Sequence, residues 1–266
     1  VRARVNATPV LVEKLARALI TLAMLTSGCF APRFKAPGEA LGGPEAIKVC
    51  SALGMEQTPV PSLRALVEAS VSSSDEAASF RYVILSHGSE RFRIDMLPLE
   101  GAFTLGMLLV RDGKTVLLDA QEETYSVASN EEDLLQRFLG LEGVTREVIL
   151  GLVTGVLPTL DCSSIRVYRD QTGTIFIKPA SSPVVWEVVP ASFSVRGLRI
   201  LNQDGSRIQI QADRIQGVGA ELPKIQLTVF KPLEAQIEMV IKKLSIGASL
   251  SESLFVVPIP PGYSER

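Results

Sequence analysis

The chain of 266 residues carries little that suits catalysis or metal binding. It has one histidine, His87, and three cysteines, Cys29, Cys50 and Cys162. A Cys/His zinc cluster is effectively excluded, and a histidine-dependent triad would have to use His87. Neither sign of charge is in excess, with 27 Lys+Arg against 29 Asp+Glu, so the electrostatic footprint of a nucleic-acid binder is missing. No segment reaches the roughly 20 charge-free residues that cross a bilayer as a helix. Apolar residues, by contrast, make up 46% of the chain and charged ones 21%, and the mean hydropathy is +0.25. That excludes disorder as the overall state. The balance points away from an enzyme and from a cofactor, towards a protein that handles apolar material.

The N-terminus reads as an address. Arg2, Arg4, Lys14 and Arg17 stand against the single acid Glu13, and the apolar run Ala18-Leu-Ile-Thr-Leu-Ala-Met-Leu25 follows. Then comes Leu25-Thr-Ser-Gly-Cys29. Small residues directly before a cysteine resemble the lipobox of bacterial lipoproteins, although the leucine sits one place early. The resemblance implies cleavage after residue 28 and lipidation of Cys29, with Phe30 in place of the aspartate that retains lipoproteins at the inner membrane. The expected location is the outer membrane, facing the periplasm. Removing residues 1–28 takes four cations and one acid, so the remaining domain is more acidic than the whole chain. That does not suit adhesion to anionic lipid.

Pro and Gly punctuation without periodicity, as in Gly42-Gly-Pro44, marks residues 29–61 as a tether. Residues 62–266 form the expected folded domain. Ser62 with Leu63, Leu66 and Val67 reads as a capped helix. Strict alternation then takes over. Phe92, Ile94 and Met96 share a face opposite Arg91, Arg93 and Asp95, and Phe103, Leu105, Met107 and Leu109 repeat the pattern. Asp112-Gly113 is a turn before another strand. Ser129-x-x-Glu132 and Thr145 cap two helices. Seven more strand-like stretches follow, two of them flanking Asp170-Gln-Thr-Gly173. The total is about ten or eleven strands, an α+β chain with one antiparallel sheet.

The segment 93–101, Arg-Ile-Asp-Met-Leu-Pro-Leu-Glu-Gly, then Tyr125, a helix ending Leu139-Gly140, and Ile149-Leu-Gly-Leu152 resemble the LolA/LolB fold family, LolB-like lipoprotein receptors in particular. The resemblance covers about residues 62–215. It implies an incomplete antiparallel β-barrel with helices covering its mouth, which binds acyl chains, lipoproteins or another amphiphile. It also implies a membrane anchor and a periplasmic lipoprotein carrier as partner, and a part in lipoprotein localisation. The expected cavity lining is Phe92, Ile94, Met96, Phe103, Leu105, Met107 and Trp186. The same residues would equally suit a filled core, since alternation alone does not separate the two. Leu97, Pro98 and Leu99 would form a membrane-contact loop, or Leu99 would fold back onto the sheet. Glu100 interrupts the family's Pro-Leu-Gly pattern. An envelope-stress sensor or a structural envelope lipoprotein of the same fold is the alternative. His87 reads as a turn residue or a general base. Cys50 and Cys162 share a compartment that permits a disulfide, and only geometry decides whether they meet.

Radiolabelled fatty acid should enter the protein in cells, and Cys29→Ala should abolish the label. Labelling that survives this change would sink the lipoprotein assignment.

Overall fold

Period-two alternation dominates the chain, and the strands it produces join one sheet. The computed structural model describes residues 38–52, 62–72, 77–88, 90–101, 103–154, 162–180, 182–190, 194–201, 207–213, 224–231, 235–256 and 258–266. Cys29 lies outside the described residues. The strands are β1 (Glu39–Ala40), β2 (Leu63–Ser72), β3 (Ala77–His87), β4 (Arg91–Pro98), β5 (Gly106–Arg111), β6 (Lys114–Asp119), β7 (Thr124–Ala128) and β8 (Ile165–Arg169). They continue with β9 (Ile175–Pro179), β10 (Val184–Val189), β11 (Ser194–Leu201), β12 (Arg207–Asp213), β13 (Lys224–Lys231), β14 (Ala235–Ile246) and β15 (Ser264–Glu265). The helices are α1 (Gly43–Ala52), α2 (Glu131–Leu139) and α3 (Arg146–Thr154).

The sheet order is β1-β8-β9-β10-β11-β12-β13-β14-β2-β3-β4-β5-β6-β7-β15. Every pairing is antiparallel except β7 with β15. Among the described residues nothing joins β1 to β15, so the sheet is open. Local chemistry sets the reversals. Asp112 and Gly113 both take positive φ, the two-residue turn that matches strand twist. Asp170 accepts from the N–H groups of Thr172 and Thr174 and from the Thr172 hydroxyl. These bonds hold its carboxyl below the usual range.

The sequence count of ten or eleven strands falls short of 15 because β1, β2, β7 and β15 escape it. Residues 63–72, expected to begin as a helix, form β2. Leu63, Ala65, Val67 and Ala69 are buried at strict period two, and pairing on both sides overrides the i, i+3, i+4 coincidence. The tether expected over 29–61 is corrected for residues 38–52. β1 pairs with β8, and α1 carries Pro44 in its first turn, where a missing N–H costs nothing. Cys50 on α1 is disulfide-bonded to Cys162 with a Cα separation of 5.9 Å. Closing a loop of 112 residues stabilises by about 4–5 kcal/mol on the chain-entropy account.

α2 and α3 lie on one face of the sheet, the inner face. α2 begins at Asn130, whose side chain accepts from the Glu132 N–H, and ends at Gly140 in the left-handed region. Thr145 accepts from the Val148 N–H at the start of α3. All six residues from Val148 to Val153 are buried, so α3 is a core element apart from its exposed Glu147 at the start. Helices expected to cover a mouth instead fill much of the inner face. Trp186, Ile177, Leu198 and Ile200 complete this core under β9–β11.

On the outer face, Leu85 of β3 and Met107 and Leu109 of β5 are apolar and buried too, beside Arg91, Arg93 and Asp95 of β4. Leu85 and Leu109 close around Phe255, which is 1% exposed. The C-terminal segment reaches them as a strap. Arg93 donates to the Leu254 carbonyl at 2.7 Å, and Arg111 to the Phe255 carbonyl at 3.5 Å. Arg91 pairs with Glu252 at 3.0 Å. Asp95 grips the Arg93 guanidinium through two oxygens. Burial pushes the Asp95 carboxyl up, against the pull of Arg93. Beyond the strap, β15 covers the edge of β7.

Phe255→Ala should therefore destabilise the protein by about 3–5 kcal/mol in denaturant unfolding. A loss below about 1 kcal/mol, the range of surface substitutions, would show that the strap is not part of the core.

Candidate functional site

Register turns the inner face into rungs that run across the strands. The lowest joins Leu63, Ser86, Phe92, Val110 and Thr115, and all five are buried. The next joins Ala65, Ile84, Ile94, Leu108 and Leu117, and is equally sealed. Higher up the sheet opens. Ile241 and Val67 are buried, but Tyr82 and Met96 beside them are half-buried. Met239, Phe80 and Pro98 are half-buried on the rung above, around a buried Ala69. Ile237, Val71 and Ala78 form the last rung, all half-buried. Burial pushes the Tyr82 phenol up to about 12.

This graded apolar patch on β14, β2, β3 and β4 is the candidate site. α2 borders it. A Cβ on Gly106 would come within 3.3 Å of the Phe138 ring and 3.6 Å of the Met96 methyl, so the helix wall stands directly beside Met96. The β4–β5 loop rises at its end. Leu105 donates its N–H to the Met96 carbonyl at 2.7 Å and holds the loop base. Gly101 sits at φ 134°, and a Cβ there would meet Phe103 and Pro98 at 3.2 Å each, so the Phe103 ring lies over Pro98.

The expected lining is thus dispersed. Phe92 and Ile94 are sealed core, and Trp186 is core on the far half of the sheet, between Ile177 and Leu198. Met96 belongs to the open patch. Leu105 is half-buried at the loop base. Phe103 is a correction: it stands on the loop, 62% exposed. Met107 is another: it pairs with Asp95, so it faces outward while Ile94 and Leu108 face inward. Period two was read correctly on each strand, but the relative register of two strands cannot be read from either alone. Of the loop residues, Pro98 faces inward beside Phe80, Leu97 pairs with Arg81 on the outer face, and Leu99 is 41% exposed.

Sequence reasoning missed Phe80, Tyr82, Ala69, Ile237 and Met239 as one surface. The alternation of 63–71 was available as a signal, but the pairing of β2 with β14 joins residues far apart in the chain. It also missed a partner for His87. The Ser62 hydroxyl lies 2.8 Å from its Nδ1 in an exposed setting, and no carboxylate pairs with the ring among the described residues. At the opposite end of the sheet, Glu90, Val110, Asp112, Gly113, Glu131 and Arg146 line a cavity of about 380 Å³. Burial pushes the Glu131 carboxyl up while Arg146 pulls it down. This cavity is polar, and acyl chains would gain little there.

The sequence matches no protein-family model and no curated protein. Solved structures do resemble it. A LolA superfamily protein from Nitrosomonas europaea aligns with a TM-score of 0.52 at 11% identity, covering 80% of this chain and 97% of that one. An outer membrane lipoprotein-sorting protein domain from Vibrio parahaemolyticus aligns at 0.53, with the same identity and coverage. The fold is LolA-like. A DUF1329 family protein from Desulfovibrio piger is similar at 0.51 and 11% identity, covering 80% of this chain and 96% of its own. At these identities the likeness concerns the LolA-like fold alone. The half-open inner face lies within an open sheet of that architecture.

Because Leu99 is exposed and Phe92 is not, their substitutions should separate. Leu99→Glu should move the melting temperature by no more than about 2 °C. Phe92→Ala should cost about 3–5 kcal/mol. A drop of many degrees for Leu99→Glu would place that leucine in the core.

Proposed function

We propose that this protein binds the acyl chains of lipoproteins, or of another amphiphile, on the half-open rungs of its inner face. It acts as a lipid-anchored, non-enzymatic component of lipoprotein localisation at the outer membrane. One observation carries the reading: Phe80, Tyr82, Met96, Pro98, Ile237 and Met239 are contiguous, apolar and incompletely covered, on a face whose lower rungs are sealed. Methionines at two of the six positions adapt to chains of varied shape. The LolA-like fold supports the same class of ligand, through a neighbour described as an outer membrane lipoprotein-sorting protein domain. Leu99 and Phe103 at the end of the patch provide apolar contact with the bilayer during transfer, and a periplasmic carrier delivers the cargo.

The magnitudes limit what the patch does alone. Three rungs and four strands span about 14 Å each way, or about 200 Å². Covering all of it contributes at most about 5 kcal/mol, the equivalent of about six methylenes. The described patch holds part of one chain and releases it readily, as a transfer protein requires. A second reading, a structural envelope lipoprotein without ligand, draws on the sealed lower rungs and the buried run Val148–Val153 of α3.

A fluorescent fatty acid tests the choice. The wild type should bind it, and Met96→Trp, which fills the patch between Tyr82 and Phe138, should weaken binding at least tenfold with little change in melting temperature. Met107→Trp on the outer face should bind like wild type if it folds. Equal binding by wild type and Met96→Trp would contradict the site. No binding by the wild type would favour the structural reading.

A further inference from the structure

One polar group stands on the open patch without a protein partner. The upper rungs of the inner face carry aliphatic side chains, methionine, proline and Phe80, and the Tyr82 hydroxyl is their only side-chain hydrogen-bond donor. Among the described residues that hydroxyl has no hydrogen-bond partner, and burial alone acts on its acidity. Tyrosine hydroxyls usually find a partner when buried. Tyr125, also half-buried, has one, and donates to Glu265 at 3.2 Å. Packing alone favours phenylalanine at position 82, because a desolvated hydroxyl without a partner costs stability.

Reach is the second observation. Ser86 Oγ on the lowest rung also lacks a partner, but Ser86 is sealed, at 0% exposure. Tyr82 is half-buried, and so is Met96 opposite it. It stands between the sealed rung of Ile84 and the open rungs of Phe80 and Ala78. The phenol therefore marks the inner end of the open patch, where a ligand meets it and goes no deeper. The rungs of Phe80 and Ala78 extend about 14 Å beyond it along the strands, room for an alkyl chain.

We infer that Tyr82 is a specificity residue of the inner face. Its hydroxyl donates to the neutral carbonyl of an acyl ester or amide, and so selects acyl chains in those linkages over alkyl chains without a carbonyl. This deepens the proposed function and rests on the reading of the inner face as an acyl-chain site. The setting narrows the acceptor. A phenol pushed up to about 12 stays protonated at physiological pH and keeps its donor. The burial that disfavours a phenolate there equally disfavours a carboxylate. A free fatty acid thus binds through its chain with the carboxylate off this rung, whereas an ester or amide brings an acceptor without charge.

The test uses the full chain and displaces a bound fluorescent fatty acid with monodecanoylglycerol or its ether counterpart monodecylglycerol. The two share chain length and headgroup and differ in one carbonyl. The wild type should prefer the ester about fivefold, the net worth of one neutral hydrogen bond. Tyr82→Phe removes only the hydroxyl, and the ester preference should disappear with it. In infrared spectra, a carbon-13 ester carbonyl should absorb at lower wavenumber on the wild type than in hexane, and return to the hexane value on Tyr82→Phe. A merely structural tyrosine would not produce that shift. A wild type that binds ester and ether equally, a carbonyl band at the hexane position on the wild type, or a Tyr82→Phe protein that keeps the preference would overturn the inference and leave the acyl-chain site standing. A wild type that does not bind the fluorescent fatty acid would overturn the proposed function and this inference with it.

Discussion

The structure depends on β5, a strand that is apolar on both faces. Along β5, Leu108 and Val110 point inward and Met107 and Leu109 point outward, and all four are buried. A strand of this kind needs cover from two sides. Helices α2 and α3 supply one side. The C-terminal strap supplies the other, with Phe255 as its plug and two arginines holding its carbonyls. Fixing Arg93 in turn requires Asp95, a carboxylate that burial alone would disfavour. The polar grip on the strap thus follows from the apolar face beneath it.

The same demand explains where the sheet can bind. The helices are short, nine residues each for α2 and α3, and cannot cover an inner face that widens towards β14, β2 and β3. What they leave half-bare is the upper set of rungs. Those rungs combine apolar side chains, a phenol whose pKa burial raises and a neighbouring loop that carries Leu99 and Phe103. Nothing comparable occurs at the opposite end, where Glu131 and Arg146 make the cavity polar.

Much of this was legible in the sequence where contacts are local. Strands 114–119, 165–169 and 184–189 follow directly from alternation, and the turns at Asp112-Gly113 and Asp170–Gly173 from the chemistry of their residues. The helices over 131–139 and 146–154 announce themselves by their apolar stripes and by Thr145, although Asn130 and not the expected Ser129 caps the first. What stayed hidden depends on distance along the chain. β2 looked helical because three of its residues match a helical spacing by chance. Met107 looked like a partner of Met96 because each strand alternates, yet register sets them on opposite faces. Cys50 looked like tether because its helix is stabilised from afar, by Cys162. Exposure of Leu99 was left open by the sequence, and its place at the tip of the β4–β5 loop decides it.

The account stands on the claim that a ligand lies on the upper rungs of the inner face. A fatty acid with a diazirine at its chain end, photolysed on the protein and mapped by peptide mass spectrometry, tests that claim most directly. Adducts should fall on Phe80, Tyr82, Met96 and Met239, and a competing unlabelled fatty acid should suppress them. Adducts confined to the outer face at Met107 and Leu109, or spread over the surface and insensitive to competitor, would contradict it.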